Sequence, residues 1–169
     1  MSYHRPVVRG RAARWVVAGT LTAVSDGLFA TVQSLINGSP VSRLWQGVAS
    51  VLLGKSALDG GSRTVLIGLA MHVTVAFFWS GVFLLLVERS AWLRGVLASR
   101  GGVFKVAAVY GPGIWLVMSL IVIPLLAHRP PKITPRWWVQ FFGHVVFVGL
   151  PIVGSITPRG NPRSPSPAG

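Results

Sequence analysis

The chain of 169 residues is 51% hydrophobic and only 11% charged, whereas a soluble domain carries about 25% charged residues. So few charges cannot cover a water-facing surface, and the composition therefore indicates one domain in a lipid bilayer. The net charge of +13 comes from basic residues that lie between apolar runs rather than on one face, and this distribution argues against nucleic-acid binding. The sequence contains no cysteine, which excludes disulfides, thiolate catalysis and cysteine-bound metals.

Four apolar runs are each about 20 residues or longer, the length that an α-helix needs to cross a ~30 Å hydrocarbon core. They cover residues 15–36, 64–87, 103–127 and 137–156. The predicted fold is all-α, a bundle of four transmembrane helices that forms a single domain over residues 1–158. The tail, residues 159–169, is rich in Pro, Ser and Gly and is predicted to be disordered, because it cannot bury apolar area.

A shorter helix is predicted between the first two spans, over residues 41–53, with Ser39 as its N-cap. Its apolar face centres on Trp45, while Gln46 and Ser50 fall on the opposite, polar face. The segment is too short to span, so we interpret it as an amphipathic helix in the membrane interface with Trp45 toward lipid. A lid over a cavity between the spans and a packing helix outside the membrane are the alternatives.

The distribution of Lys and Arg predicts the orientation. With a cytoplasmic N-terminus, ten basic residues lie on the cytoplasmic side: Arg5, Arg9, Arg11, Arg14, Arg89, Arg94, Arg100, Lys105, Arg159 and Arg163. Six lie on the outer side: Arg43, Lys55, Arg63, Arg129, Lys132 and Arg136. Ten against six favours both termini in the cytoplasm, in a cell inner (plasma) membrane, with the short helix on the outer side.

Small residues recur at three- and four-residue steps along the spans, and such stripes let neighbouring helices approach closely. The positions predicted to pack helices in this way are Gly19, Gly27, Gly68, Ala76 and Gly111. In the third span, Pro112 is predicted to introduce a kink, because the carbonyl four residues earlier loses its donor.

Four polar side chains inside the spans form a candidate intramembrane site: Asp26, His72, Ser119 and His144. At 1.5 Å per residue they fall within about one helical turn of a common depth, ~12–15 Å below the outer face. Asp26 is the only acid well inside a span, where a charged Asp costs about 3 kcal/mol. The site is interpreted as histidines satisfied by neighbouring helices, as a proton- or ion-handling site, as a metal or haem site, or as residues at one depth without contact.

The function predicted from these residues is non-enzymatic and needs no cofactor, since no phosphate-binding loop, dinucleotide motif or HExxH occurs. A polar site between helices, open toward the outer side, is the leading interpretation. A proton- or ion-transport component and a structural or accessory subunit are the main alternatives, and a b-type haem protein is a weaker one. Four spans are few for an independent transporter, so the expected partners are the bilayer and either a second copy or another membrane protein.

Short motifs add a resemblance. The second span carries His72 and ends at Glu88, the third ends in Pro124-Leu-Leu before a Pro-rich outer loop, and the fourth carries Phe142-Gly-His144. In these features residues 64–156 resemble the YagU-like family of small bacterial inner-membrane proteins. The resemblance implies a bacterial inner-membrane location and no particular reaction or substrate.

Overall fold

The computed structural model describes residues 10–157, and this part of the chain contains helices and no strands. The six helices are α1 (Arg11–Ile36), α2 (Val41–Leu53), α3 (Gly61–Arg89), α4 (Ala91–Ala98), α5 (Gly102–Ala127) and α6 (Pro135–Ile156). A short 3₁₀ turn, Lys55–Asp59, joins α2 to α3. The predicted all-α class is confirmed, while the tail at 159–169 lies outside the described residues.

Helices α1, α3, α5 and α6 contain 26, 29, 26 and 22 residues and are long and apolar enough to cross a membrane. The outward face of α1 shows why lipid must surround them, because it exposes a row of large aliphatic side chains at helical spacing. These are Leu21, Val24, Leu28, Val32 and Leu35, each at least half exposed. Water would not tolerate an apolar surface of this extent, and the chain is a multi-pass integral membrane protein.

Helix α4 was not predicted from the sequence. The hydroxyl of Ser90 accepts a hydrogen bond from the backbone N–H of Leu93 at 3.1 Å and so caps the first turn. Arg94 folds back and donates to the carbonyls of Val87 and Glu88, at 2.9 and 3.0 Å. These carbonyls end α3 and have no partner within that helix, so Arg94 closes α3 while α4 turns away from it.

The end of the bundle at which α4 lies, here called the α4 end, holds most of the apolar core. The buried cluster is formed by Ala18, Phe83, Leu84, Val87, Leu97, Ala107, Ile114, Val148, Ile152, Val153 and Ile156. Polar side chains join the helices there: Arg11 pairs with Glu88 at 2.9 Å, and Arg14 donates to the carbonyl of Ile156 at 3.2 Å. The opposite end, at which α2 lies, is here called the α2 end.

Helix α2 has the predicted bounds, but the predicted orientation of its faces was wrong. It buries Trp45, Gln46 and Ser50 against the bundle, although the last two were placed on the polar face. The reason is Gly68 of α3, where a side-chain Cβ would overlap the carbonyl of Trp45. This close approach turns α2, so that Trp45 faces protein rather than lipid. Its N-cap is Pro40 and makes no side-chain cap bond, so the predicted Ser39 cap was also wrong.

Two π-helical segments interrupt the last two spans, at Met118–Val122 in α5 and Val145–Gly149 in α6. Each ends two residues before a proline, Pro124 or Pro151, whose ring would clash with the carbonyl four residues earlier in a regular helix. Pro112 instead lies within an α-helical stretch, Gly102–Val117. The departure from α-helical geometry in the third span is therefore found after Pro112.

Candidate functional site

His72 joins α3 to α1 through a backbone carbonyl. Its Nε2 lies 2.9 Å from the carbonyl oxygen of Ala23. A carbonyl oxygen only accepts hydrogen bonds, so Nε2 must carry the hydrogen. The hydrogen on this nitrogen is thereby fixed by the neighbouring helix, and the other ring nitrogen, Nδ1, decides the charge of the imidazole.

Asp26 lies on the Nδ1 side of this ring. Its Oδ2 is 3.9 Å from Nδ1 of His72, and the two side chains are only 18% and 16% exposed. The distance suits an ion pair but is too long for a hydrogen bond. Its other oxygen, Oδ1, is buried and has no hydrogen-bond partner among residues 10–157. A carboxyl group in this setting is poorly solvated.

The two contacts of His72 fix which ring nitrogen faces Asp26. With the hydrogen on Nε2 directed at Ala23, Nδ1 is the nitrogen turned toward the carboxyl group. Asp26 and His72 are therefore a facing pair of titratable side chains between α1 and α3.

Trp45 of α2 covers this pair from the α2 end. Its ring centroid is 5.3 Å from that of His72, and the rings are tilted by 59°. Gly27 lies beside both rings, since a Cβ there would be in ordinary van der Waals contact with them, 3.4 Å from Nε2 of His72 and 3.6 Å from Cη2 of Trp45. Trp45 is 6% exposed, so α2 acts as a cover over the pair. Trp45 therefore packs against protein, and the lid and packing-helix alternatives both remain open.

His144 and Ser119 belong to a second group, between α5 and α6. Nδ1 of His144 lies 2.7 Å from the carbonyl oxygen of Gln140, and its ring centroid is 4.8 Å from that of Trp115. Ser119 accepts a hydrogen bond from Nε1 of Trp137 at 3.1 Å. No hydrogen bond or ion pair in the described chain joins His144 to Asp26 or His72.

Helix α1 lies between the two groups, and Ser25 connects it to α6. The hydroxyl of Ser25 is 2.6 Å from the carbonyl oxygen of Phe147 and 2.7 Å from that of Leu21, so its single hydrogen is shared. The carbonyl of Phe147 lies four residues before Pro151, which has no N–H to offer it. Asp26 therefore sits at the level of the π segment that follows His144.

The predicted packing positions all lie where helices meet. A Cβ at Gly19 would lie 2.7 Å from the ring of Phe77, and one at Gly111 would overlap the carbonyl of His144. Ala76 is 6% exposed. Gly27 and Gly68 are the positions at which α2 closes over α1 and α3, as described above.

Sequence analysis missed the contributions of two residue types. Trp45 had been assigned to lipid, and Trp115 and Trp137, which contact His144 and Ser119, had not been assigned to the site. Ser25 had not been singled out at all. A signal for it exists in Pro151, because a proline inside a span requires another donor for the carbonyl four residues earlier.

A metal or haem site finds little support in this geometry. Residues 10–157 contain no group of three or more His, Asp or Glu side chains placed to hold a metal ion. His72 donates through Nε2 to Ala23 and turns Nδ1 toward Asp26. A haem held by two histidines would need a free nitrogen of His72 facing a nitrogen of His144, and this arrangement does not provide it.

No protein-family model, curated protein or solved structure matches the chain.

Proposed function

We propose that this chain is a non-enzymatic protein of the bacterial inner membrane, in which Asp26 and His72 take up and release a proton as part of a proton- or ion-handling transport process. One observation carries the proposal: His72 is fixed by Ala23 so that Nδ1 faces the poorly solvated carboxyl group of Asp26 at 3.9 Å. An acid and a histidine inside a membrane are costly, and such groups typically mark ion or proton pathways.

Access to the pair is asymmetric. On the side of the α4 end, the apolar core separates Asp26 from the membrane surface. On the side of the α2 end, Trp45 of α2 lies over the pair. In the topology proposed from the charge bias, the α2 end faces outward and both termini are cytoplasmic. The pair then exchanges protons with the outer side, and transfer across the whole membrane requires a second conformation or a partner chain.

A structural or accessory role is the second candidate, and a specific observation favours it. Several side chains donate to backbone carbonyls of other helices, as polar groups do when they join helices in lipid. Besides His72, these are Arg14, Trp15, Ser25 and Tyr110. The bond from His72 to Ala23 is of the same kind. The side chain of Asp26, in contrast, makes no hydrogen bond to another helix among the described residues.

Proton flux into liposomes tests the proposal. Asp26→Asn keeps the size of the side chain and removes its charge, and His72→Gln keeps a donor for Ala23 while it removes Nδ1. We expect both variants to lose proton flux and to remain folded, as judged by circular dichroism. Matched controls are Asp59→Asn, at a side chain that is 89% exposed, and His128→Gln, in the exposed loop after α5.

The structural alternative makes a different prediction in the same experiment. If the pair only joins helices, both variants lose stability, and flux stays at the level of the two controls. Infrared spectra provide a second readout, because a protonated carboxyl group on Asp26 absorbs as a carbonyl stretch. A band that appears on acidification in the wild type and is missing in Asp26→Asn supports proton uptake; the same spectra in both proteins contradict it.

A further inference from the structure

A groove on the outer surface of the bundle runs between α1 and α3 and begins at the α4 end. It consists of two adjoining parts, of about 350 Å³ and about 600 Å³, which share Trp15, Gly81 and Leu85. Arg11 lines the part at the α4 end, and Val73 lines the part nearer the middle of the bundle. The groove is thus charged at one end and apolar along the rest of its length.

Its length matches one leaflet of a bilayer. Leu85 and Val73 are twelve residues apart on α3, which corresponds to ~18 Å at 1.5 Å per residue. Half of a ~30 Å hydrocarbon core is ~15 Å. A groove that starts at the membrane surface and ends near the midplane has the dimensions of an acyl chain in its own leaflet.

The mouth of the groove carries the charge that a phosphate requires. The side chain of Arg11 is 60% exposed, and its Nη2 contacts Glu88 at 2.9 Å. A guanidinium has five N–H donors, so Glu88 leaves several of them for another acceptor. Arg89 is a second exposed cation at this end of α3, whereas Glu88 is the only acid among the described residues there. This excess of positive charge complements an anionic head group.

The walls of the groove favour a flexible chain over a helix. Helices in lipid dock through stripes of small residues. Gly19, Gly27 and Gly68 already face other helices within the bundle. Along the groove Gly81 is flanked by Trp15 and Phe77, and the indole N–H of Trp15 donates to the carbonyl of Phe77 at 2.9 Å. That bond fixes the indole of Trp15 against Gly81, where a Cβ would lie 3.3 Å from its Nε1, so the aromatic wall of the groove is held in place.

We propose that this groove binds one anionic phospholipid, with its phosphate at Arg11 and one acyl chain lying along α3 toward Val73. The bound lipid belongs to the leaflet at the α4 end. The site is independent of the pair formed by Asp26 and His72, which lies on the inner side of the same two helices.

Native mass spectrometry of the full chain in mild detergent, with added phosphatidylglycerol or phosphatidylcholine, tests the site. The wild type is expected to retain one phosphatidylglycerol after collisional activation that strips phosphatidylcholine. Arg11→Gln should weaken this retention by about fivefold, the factor that one basic side chain contributes near an anionic membrane surface. Arg100→Gln, at an exposed arginine of the same end, should not change it.

Two further variants separate lipid binding from a structural role of Arg11. Glu88→Gln frees the guanidinium, so retention should hold or rise, whereas a purely structural ion pair predicts that Glu88→Gln and Arg11→Gln behave alike. Val82→Phe fills the groove and should remove the bound lipid, while Val146→Phe, on the lipid-facing side of α6, should not. Equal retention of both lipids, or loss of a dimer rather than of a lipid in Val82→Phe, overturns the proposal.

Discussion

The contact between Asp26 and His72 can be measured as a coupling energy. Two unit charges about 4 Å apart interact by ~4 kcal/mol at an effective dielectric constant of 20. Partial exposure of the two side chains and the lack of a direct hydrogen bond reduce this value. We therefore expect a coupling of about 0.5–3 kcal/mol, the range found for residues in contact.

The assay is a double-mutant cycle with Asp26→Asn and His72→Gln, read as the free energy of unfolding in mixed micelles. Each single variant leaves a partly buried partner without its contact, so the double variant should lose less stability than the sum of the two. His72→Gln is preferable to His72→Leu, because glutamine preserves a donor for Ala23 and the cycle then reports only the contact with Asp26.

A second cycle, with Asp26→Asn and His144→Gln, serves as the control. His144 has its own partners, the carbonyl of Gln140 and the ring of Trp115, and makes no direct contact with Asp26. Its coupling to Asp26 should stay below about 0.5 kcal/mol. Additivity in the cycle with His72 would refute the contact and with it the proton site, and a larger coupling to His144 would move the site to the other group.

Further predictions concern packing, the cross-helix bonds and topology. Gly68→Ala should cost about 1–3 kcal/mol in unfolding free energy and so lower the melting temperature in detergent, because its Cβ would overlap the carbonyl of Trp45. Gly154→Ala places its Cβ in open space and should leave the melting temperature unchanged. Ser25→Ala should cost about 1 kcal/mol or less in unfolding free energy, since it removes the donor that α1 offers to α6. Reporter fusions after Arg94 and after Gly169 should both report the cytoplasm, and a periplasmic signal from either would contradict the proposed topology.

The positions of the four spans could be predicted because a run of about 20 apolar residues is visible in the sequence and does not depend on how the helices pack. Helix α4 was missed because it is only eight residues long, too short to span a membrane, and its start depends on one hydroxyl, that of Ser90. The face of α2 was wrong for another reason. We had placed α2 at a boundary between lipid and water, where its apolar face would turn toward lipid. Because Gly68 has no side chain, α2 instead packs closely on α3, and both Gln46 and Trp45 are buried.

The candidate site was predictable in depth but not in rotation. Counting residues along each span placed Asp26, His72, Ser119 and His144 at one level, which is a coordinate along the helix axis. Whether two side chains at one level meet depends on the direction in which each leaves its helix, and packing decides that direction. Asp26 and His72 turn toward each other, whereas Ser119 and His144 turn into the aromatic contacts between α5 and α6.

The bonds from the first span to the last have a consequence for biosynthesis. Arg14 and Ile156 are 142 positions apart, and Ser25 and Phe147 are 122 apart, so Arg14 and Ser25 lack their partners on α6 until the last span has left the ribosome and entered the bilayer. A chain truncated before α6 would lack both bonds. The bundle therefore closes only when synthesis of the last span is complete.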